Sequence, residues 1–108
     1  MTIQYIGRRH AKGTEVFVIG LRGEEPLPPR ADLRNHSPTG FEWGYSGSGP
    51  AQLALAMLSH ALDDDVAAQS LYQRFKFRYV VQFAHEGWAM TRDEVRSAVR
   101  AIVEDKAF

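Results

Sequence analysis

Ser46-Gly47-Ser48-Gly49-Pro50-Ala51-Gln52-Leu53-Ala54-Leu55-Ala56-Met57-Leu58-Ser59-His60-Ala61-Leu62 is the stretch that decides how this chain folds. From Pro50 to about Leu62 nearly every residue is Ala, Leu or Met. The polar exceptions, Gln52, Ser59 and His60, continued by Asp63, project onto a single arc of about 100° at the helical repeat. A helix apolar on most of its circumference has to be surrounded, so it is expected to be the central buried helix. Pro50 suits the first turn, where its missing N–H is not needed, with Ser48 or Gly49 at the cap.

On the N-terminal side of this helix the chain reads as strands. Ile3 to Arg9 is short and rich in β formers, His10 to Thr14 is a turn with Gly13 supplying a positive φ, and Glu15 to Leu21 is a β-branched strand. Arg22 to Arg30 carries Pro26, Pro28 and Pro29, which bars it from a central strand and marks it as a loop. Phe41-Glu42-Trp43-Gly44-Tyr45 alternates aromatics with other residues and is a candidate third strand.

On the C-terminal side it reads as helices. Asp63-Asp64-Asp65 ends the central helix and offers a cap to the next. Val66 to Ala84 places Ala68, Leu71, Tyr72, Phe75, Tyr79 and Phe83 on one helical face, yet Phe75, Phe77, Tyr79, Val81 and Phe83 also alternate as in a strand. The helical reading is preferred because the first half is sensible only as a helix and no turn signal interrupts it. The competing reading breaks near Phe75 and adds a strand. Trp88-Ala89-Met90 is a short bridge, and Thr91 with Glu94 forms a capping box for a last helix bearing Val95, Ala98, Val99, Ile102 and Val103. The expectation is an α+β domain spanning 1–108: a small antiparallel sheet of two or three N-terminal strands packed by three C-terminal helices.

Composition narrows the function classes. With no Cys, thiol catalysis, thiolate zinc and disulfides are excluded. Lys+Arg and Asp+Glu are equal at 13 each, without the basic excess of a duplex-DNA binder. No apolar run approaches the roughly 20 residues that span a bilayer, which points to a cytoplasmic protein without a membrane role. His10, His36, His60 and His85 show no paired metal spacing, and no metal or cofactor is expected.

The loop from Leu33 to Pro50 carries the candidate binding residues Arg34, His36, Trp43, Tyr45, Ser46, Gly47, Ser48 and Gly49. Plain connectors need neither Trp nor so many glycines, so a loop of this make-up is expected to position something on a surface. Gly47-Ser48-Gly49 at a helix start has the outline of an anion-binding loop, without the spacing of a phosphate-binding motif or its Lys. Arg34 and His36 suit an anion contact and a proton shuttle, but no catalytic constellation surrounds them, and a bracing role is preferred for His36. Trp43 is expected to be buried and Tyr45 more exposed, with Gly47 and Gly49 supplying backbone angles that a Cβ would penalise.

Leu33 to Ala56 (LRNHSPTGFEWGYSGSGPAQLALA), Leu71 to Lys76 (LYQRFK) and the Trp88-Ala89-Met90-Thr91 bridge running into the last helix resemble a family known only as a domain of unknown function, found in scattered bacteria, plasmids and bacteriophages. The resemblance covers residues 3–104 and implies no established activity. It implies a small stand-alone accessory protein carried by mobile elements. The leading expectation is therefore a non-enzymatic module that recognises a protein partner through the Arg34-to-Gly49 loop. One alternative is a small-anion or nucleotide site at the Gly47–Gly49 helix start, hydrolytic if His36 takes part. Another is nucleic-acid binding through Arg92, Arg96 and Arg100, which share a helix face at i, i+4 and i+8.

Overall fold

Two tight turns of the same build open the chain. In the computed structural model, which describes residues 2–105, β1 (Gln4–His10) and β2 (Gly13–Gly20) are joined by Ala11-Lys12, and β2 and β3 (Gly23–Pro26) by Leu21-Arg22. The residue after each turn is a glycine at positive φ, Gly13 at 141° and Gly23 at 91°, a conformation that a side chain would penalise. All pairings are antiparallel, with Tyr5 opposite Val18 and Val18 opposite Glu25. The third strand is thus Gly23–Pro26, inside the stretch read as a loop. Pro26 is tolerated because β3 lies at the sheet edge.

The fourth strand is β4 (Gly87–Thr91), the segment expected to be a bridge. It pairs antiparallel with β1, giving the order β3-β2-β1-β4. The sheet therefore has four strands, one of them contributed from between helices. Gly7, opposite Trp88, makes this pairing possible, since a Cβ there would collide with the Trp88 indole. Phe41 to Tyr45 is not a strand. Gly40 and Gly44 sit at φ of 123° and 85°, which turns the chain at both ends of the segment instead of extending it.

Helix α1 (Ser48–Leu62) is buried over most of its length and forms the core with Tyr5, Val16, Trp43, Phe75, Val95 and Ile102. The side chains of Ile6, Phe17 and Ile19 alternate with the core residues of β1 and β2 and fall on the other face of the sheet, where the Arg8 guanidinium lies 5.1 Å from the Phe17 ring. Asp63, in the left-handed region, ends α1, and Asp64 caps α2 (Asp65–Arg78) by accepting from the Ala67 N–H. The helical reading of this segment holds as far as Arg78. There the β-branched pair Val80-Val81 follows, Tyr79 leaves helical geometry, and a single 3-10 turn carries the chain over Val80–Gln82. Phe77 points outward and is 57% exposed, as its place opposite the core face requires. Helix α3 (Arg92–Glu104) starts at the expected Thr91–Glu94 capping box.

Candidate functional site

The loop before α1 is held by one buried amide. Gln52 is fully enclosed. Its Oε1 accepts from the backbone N–H of His36 (2.7 Å) and Ser37 (3.2 Å), and its Nε2 donates to the carbonyls of Pro29 (2.6 Å) and Arg34 (2.9 Å). The full hydrogen-bonding capacity of the side chain is taken up, which explains a polar residue in an apolar helix. Gln52 thus turns its part of the polar arc read from the sequence into a seam between α1 and the loop, whereas Asp63 on the same arc is exposed. His36 adds a second tie, with Nε2 2.7 Å from the Tyr72 hydroxyl. Arg30 adds a third through paired contacts to Asp32 and Asp65. Its guanidinium holds both carboxyls below their ordinary value.

The other half of the loop is clamped from β1. Arg9 makes a two-pronged bond to Glu42 (2.6 and 3.0 Å), donates to the His85 carbonyl (2.8 Å) and lies 5.0 Å from the Trp43 ring. The hydrogen bonds from Arg9 keep the Glu42 carboxyl below its usual range. Trp43 is 1% exposed; its indole N–H is shared between the carbonyls of Ala84 (2.9 Å) and His85 (3.1 Å), and its ring meets Trp88 edge-on at 5.8 Å. Gly47 and Gly49 matter through close approach. Gly47 has an extended φ of 177°, and a Cβ would come within 2.7 Å of the Tyr45 ring at Gly47 and 2.6 Å of the Glu42 Cβ at Gly49.

Of the residues singled out from sequence, His36 and Trp43 thus belong to the scaffold. Ser37 donates to the Gly40 carbonyl (2.7 Å), so His36 and Ser37 do not form a hydrogen-bonded pair. Arg34, Tyr45, Ser46 and Ser48 face outward, Tyr45 at 51% exposure. The Arg34 side chain has no partner among the described residues. A cleft of about 300 Å³ opens at the start of α1, lined by Lys12, Thr14, Thr39, Tyr45, Ser48 and Gly49, and no side chain among the described residues caps the helix there.

Arg92, Arg96 and Arg100 do not share one environment. Arg96 donates to the Ala61 carbonyl (2.8 Å) at the end of α1, Arg92 is partly buried, and Arg100 is exposed. Reading the sequence missed the Arg9–Glu42 clamp, whose partners are 33 residues apart. It also missed the hydrogen bond between His60 Nδ1 and the Tyr5 hydroxyl (2.9 Å). Among the described residues no cluster of three or more His, Asp or Glu is placed to hold a metal, and no helix is long and apolar enough to cross a membrane.

Comparison with curated proteins and with solved structures finds no match to this chain. Residues 5–101 match a family of unknown function, and the chain belongs to that family, DUF6166.

Proposed function

We propose that the protein is a non-enzymatic binding module that recognises a protein partner in the cytoplasm through the outward tips of the Arg34-to-Gly49 loop. One observation carries this reading: the interior of the loop is tied down at Gln52, His36, Glu42 and Trp43, while Arg34 and Tyr45 stay exposed. A surface held in place before contact loses little freedom on binding, and Tyr and Arg are residue types enriched at energetic hot spots. The mobile-element setting implied by the resemblance fits an accessory protein of this kind.

The test is photo-crosslinking from position 45 in cells of the source organism, repeated with Arg34→Ala. A discrete adduct that Arg34→Ala abolishes, at unchanged melting temperature, is the expected result. An adduct indifferent to Arg34→Ala overturns the assignment of the surface.

A second reading has its own observation, the uncapped start of α1 opening into a cleft lined by Lys12 and three hydroxyl-bearing residues, Thr14, Thr39 and Ser48. It predicts that inorganic phosphate or a nucleotide raises the melting temperature, by an amount that Lys12→Ala reduces.

A further inference from the structure

At the far end of β2 from the loop, about 24 Å away at the usual strand rise, a second cleft of about 300 Å³ is lined by Ile3, Val18 and Leu21 together with His60, Arg92 and Arg22. The arginines of the chain divide sharply. Arg8, Arg9, Arg30, Arg78 and Arg96 each have a carboxylate or carbonyl partner. Arg22, Arg34, Arg74 and Arg100 have none but are exposed to water. Arg92 alone is partly buried with a side chain unpartnered among the described residues, and its Nε is buried and lacks any acceptor. A buried guanidinium N–H without an acceptor is a standing cost that folding does not explain.

His60 lines the same cleft. Its Nδ1 lies 2.9 Å from the Tyr5 hydroxyl, whose proton has no other partner among the described residues. The hydroxyl therefore donates to Nδ1, which leaves Nε2 as the protonated, donating nitrogen of the neutral ring. Burial pushes the Tyr5 hydroxyl up to about 12, so it keeps that proton. The cleft is thus lined by an imidazole and two guanidinium-bearing side chains beside apolar residues, opposed by one carboxylate, Glu25.

We propose that this cleft binds the oxyanion of a small organic acid, with Arg92, Arg22 and His60 holding the charged head and Ile3, Val18 and Leu21 packing its apolar body. The site is independent of the loop surface.

The probes are benzoate, phenyl phosphate and inorganic phosphate, read by NMR of the His60 ring. Four groups face that ring: Tyr5 from β1, Arg92 from α3, Asp63 at the end of α1 and Glu25 on β3. Benzoate or phenyl phosphate should shift the ring signals and raise the pH at which His60 protonates, and the tighter of the two identifies the oxyanion. Arg92→Gln should weaken binding by about tenfold or more, as loss of a charge-assisted bond does, and Glu25→Gln should strengthen it. Tyr45→Ala should leave it unchanged. Should Arg92→Gln fail to fold, Arg22→Ala on the exposed turn serves as the weakening variant. The proposal is overturned by an unmoved His60 ring at millimolar probe, or by shifts that Arg92→Gln or Arg22→Ala leaves intact. Inorganic phosphate binding as tightly as either organic probe overturns the role of the apolar walls.

Discussion

The two ends of β2 use the same residue types in opposite ways. At the loop end, an Arg, a His, a Trp and a Gln are taken up in internal bonds: Arg9 with Glu42, His36 with Tyr72, Trp43 with two carbonyls, Gln52 with four backbone groups. At the cleft end, the partly buried Arg92 side chain has no partner among the described residues, and His60 keeps one ring nitrogen free. The teaching is that residue type does not announce function. A loop crowded with Trp, His and Arg can be mostly scaffold, and a helix that begins with an ordinary Arg can leave that Arg unmatched. For these residues, what separates the two is whether their polar atoms have found partners.

Stability measurements are the sharpest way to break this contrast, beginning with Trp43. Its ring fills the space between Trp88 and the loop, so Trp43→Ala should cost about 3–5 kcal/mol in denaturant unfolding. A loss under 1 kcal/mol would mean that the loop is not part of the core. Gln52→Leu comes next. The substitution keeps the apolar contacts of α1 but strands two N–H groups and two carbonyls, and should cost about 3 kcal/mol at typical penalties for unmade bonds. Because those four groups lie on 29–37, hydrogen exchange should quicken there and not in β1 or β2.

Acid titration compares the two ends in one experiment. Burial, with Arg92 adding to it, holds His60 below its ordinary value, against the opposing pull of Asp63 and Glu25. The unfolded chain takes up that proton first, near pH 6.5. Stability is therefore full above that pH and declines as pH falls through the lower folded value. His60→Gln should flatten this part of the curve. The loop end responds later, below about pH 4, where Glu42, Asp32 and Asp65, all held down by arginine, must be protonated.

Much of the fold was legible because it rests on local rules. The apolar circumference of Pro50–Leu62, the capping box at Thr91 and the Gly13 turn each carry their meaning within a few residues. The α+β class, the first hairpin and the three helices followed from them. What escaped depended on partners distant in sequence. Strand β4 exists because Gly7, some 80 residues earlier, leaves room for the Trp88 ring. A strand-interior glycine opposite an aromatic was the one available signal. Strand β3 had a signal too, since Leu21-Arg22-Gly23 repeats the offset of Ala11-Lys12-Gly13, but the prolines beyond it drew the reading toward a loop. The arc of Gln52, Ser59 and His60 was visible, while what Gln52 and His60 bond to was not. Burial and hydrogen-bond partners decide that, and neither is a property of spacing.

The smallest effect discriminates best between the two ends. Arg92→Gln removes a charge from a partly buried position where no described residue pairs with it, and keeps a side chain able to hydrogen-bond. Breaking a matched pair leaves a bare charge behind and is strongly destabilising, whereas removing an unmatched one relieves a desolvation cost. Arg92→Gln should therefore leave stability unchanged or raise it by about 1 kcal/mol. It should also raise the pH at which His60 protonates, because the Arg92 charge disfavours the imidazolium. Arg9→Gln at the other end should destabilise, since Glu42 would lose its two-pronged donor and the His85 carbonyl its bond. If both substitutions destabilise alike, Arg92 is a structural residue like the rest and the contrast between the two ends is lost. If they differ in sign, the protein maintains at one end of its sheet a charge that its own fold does not use.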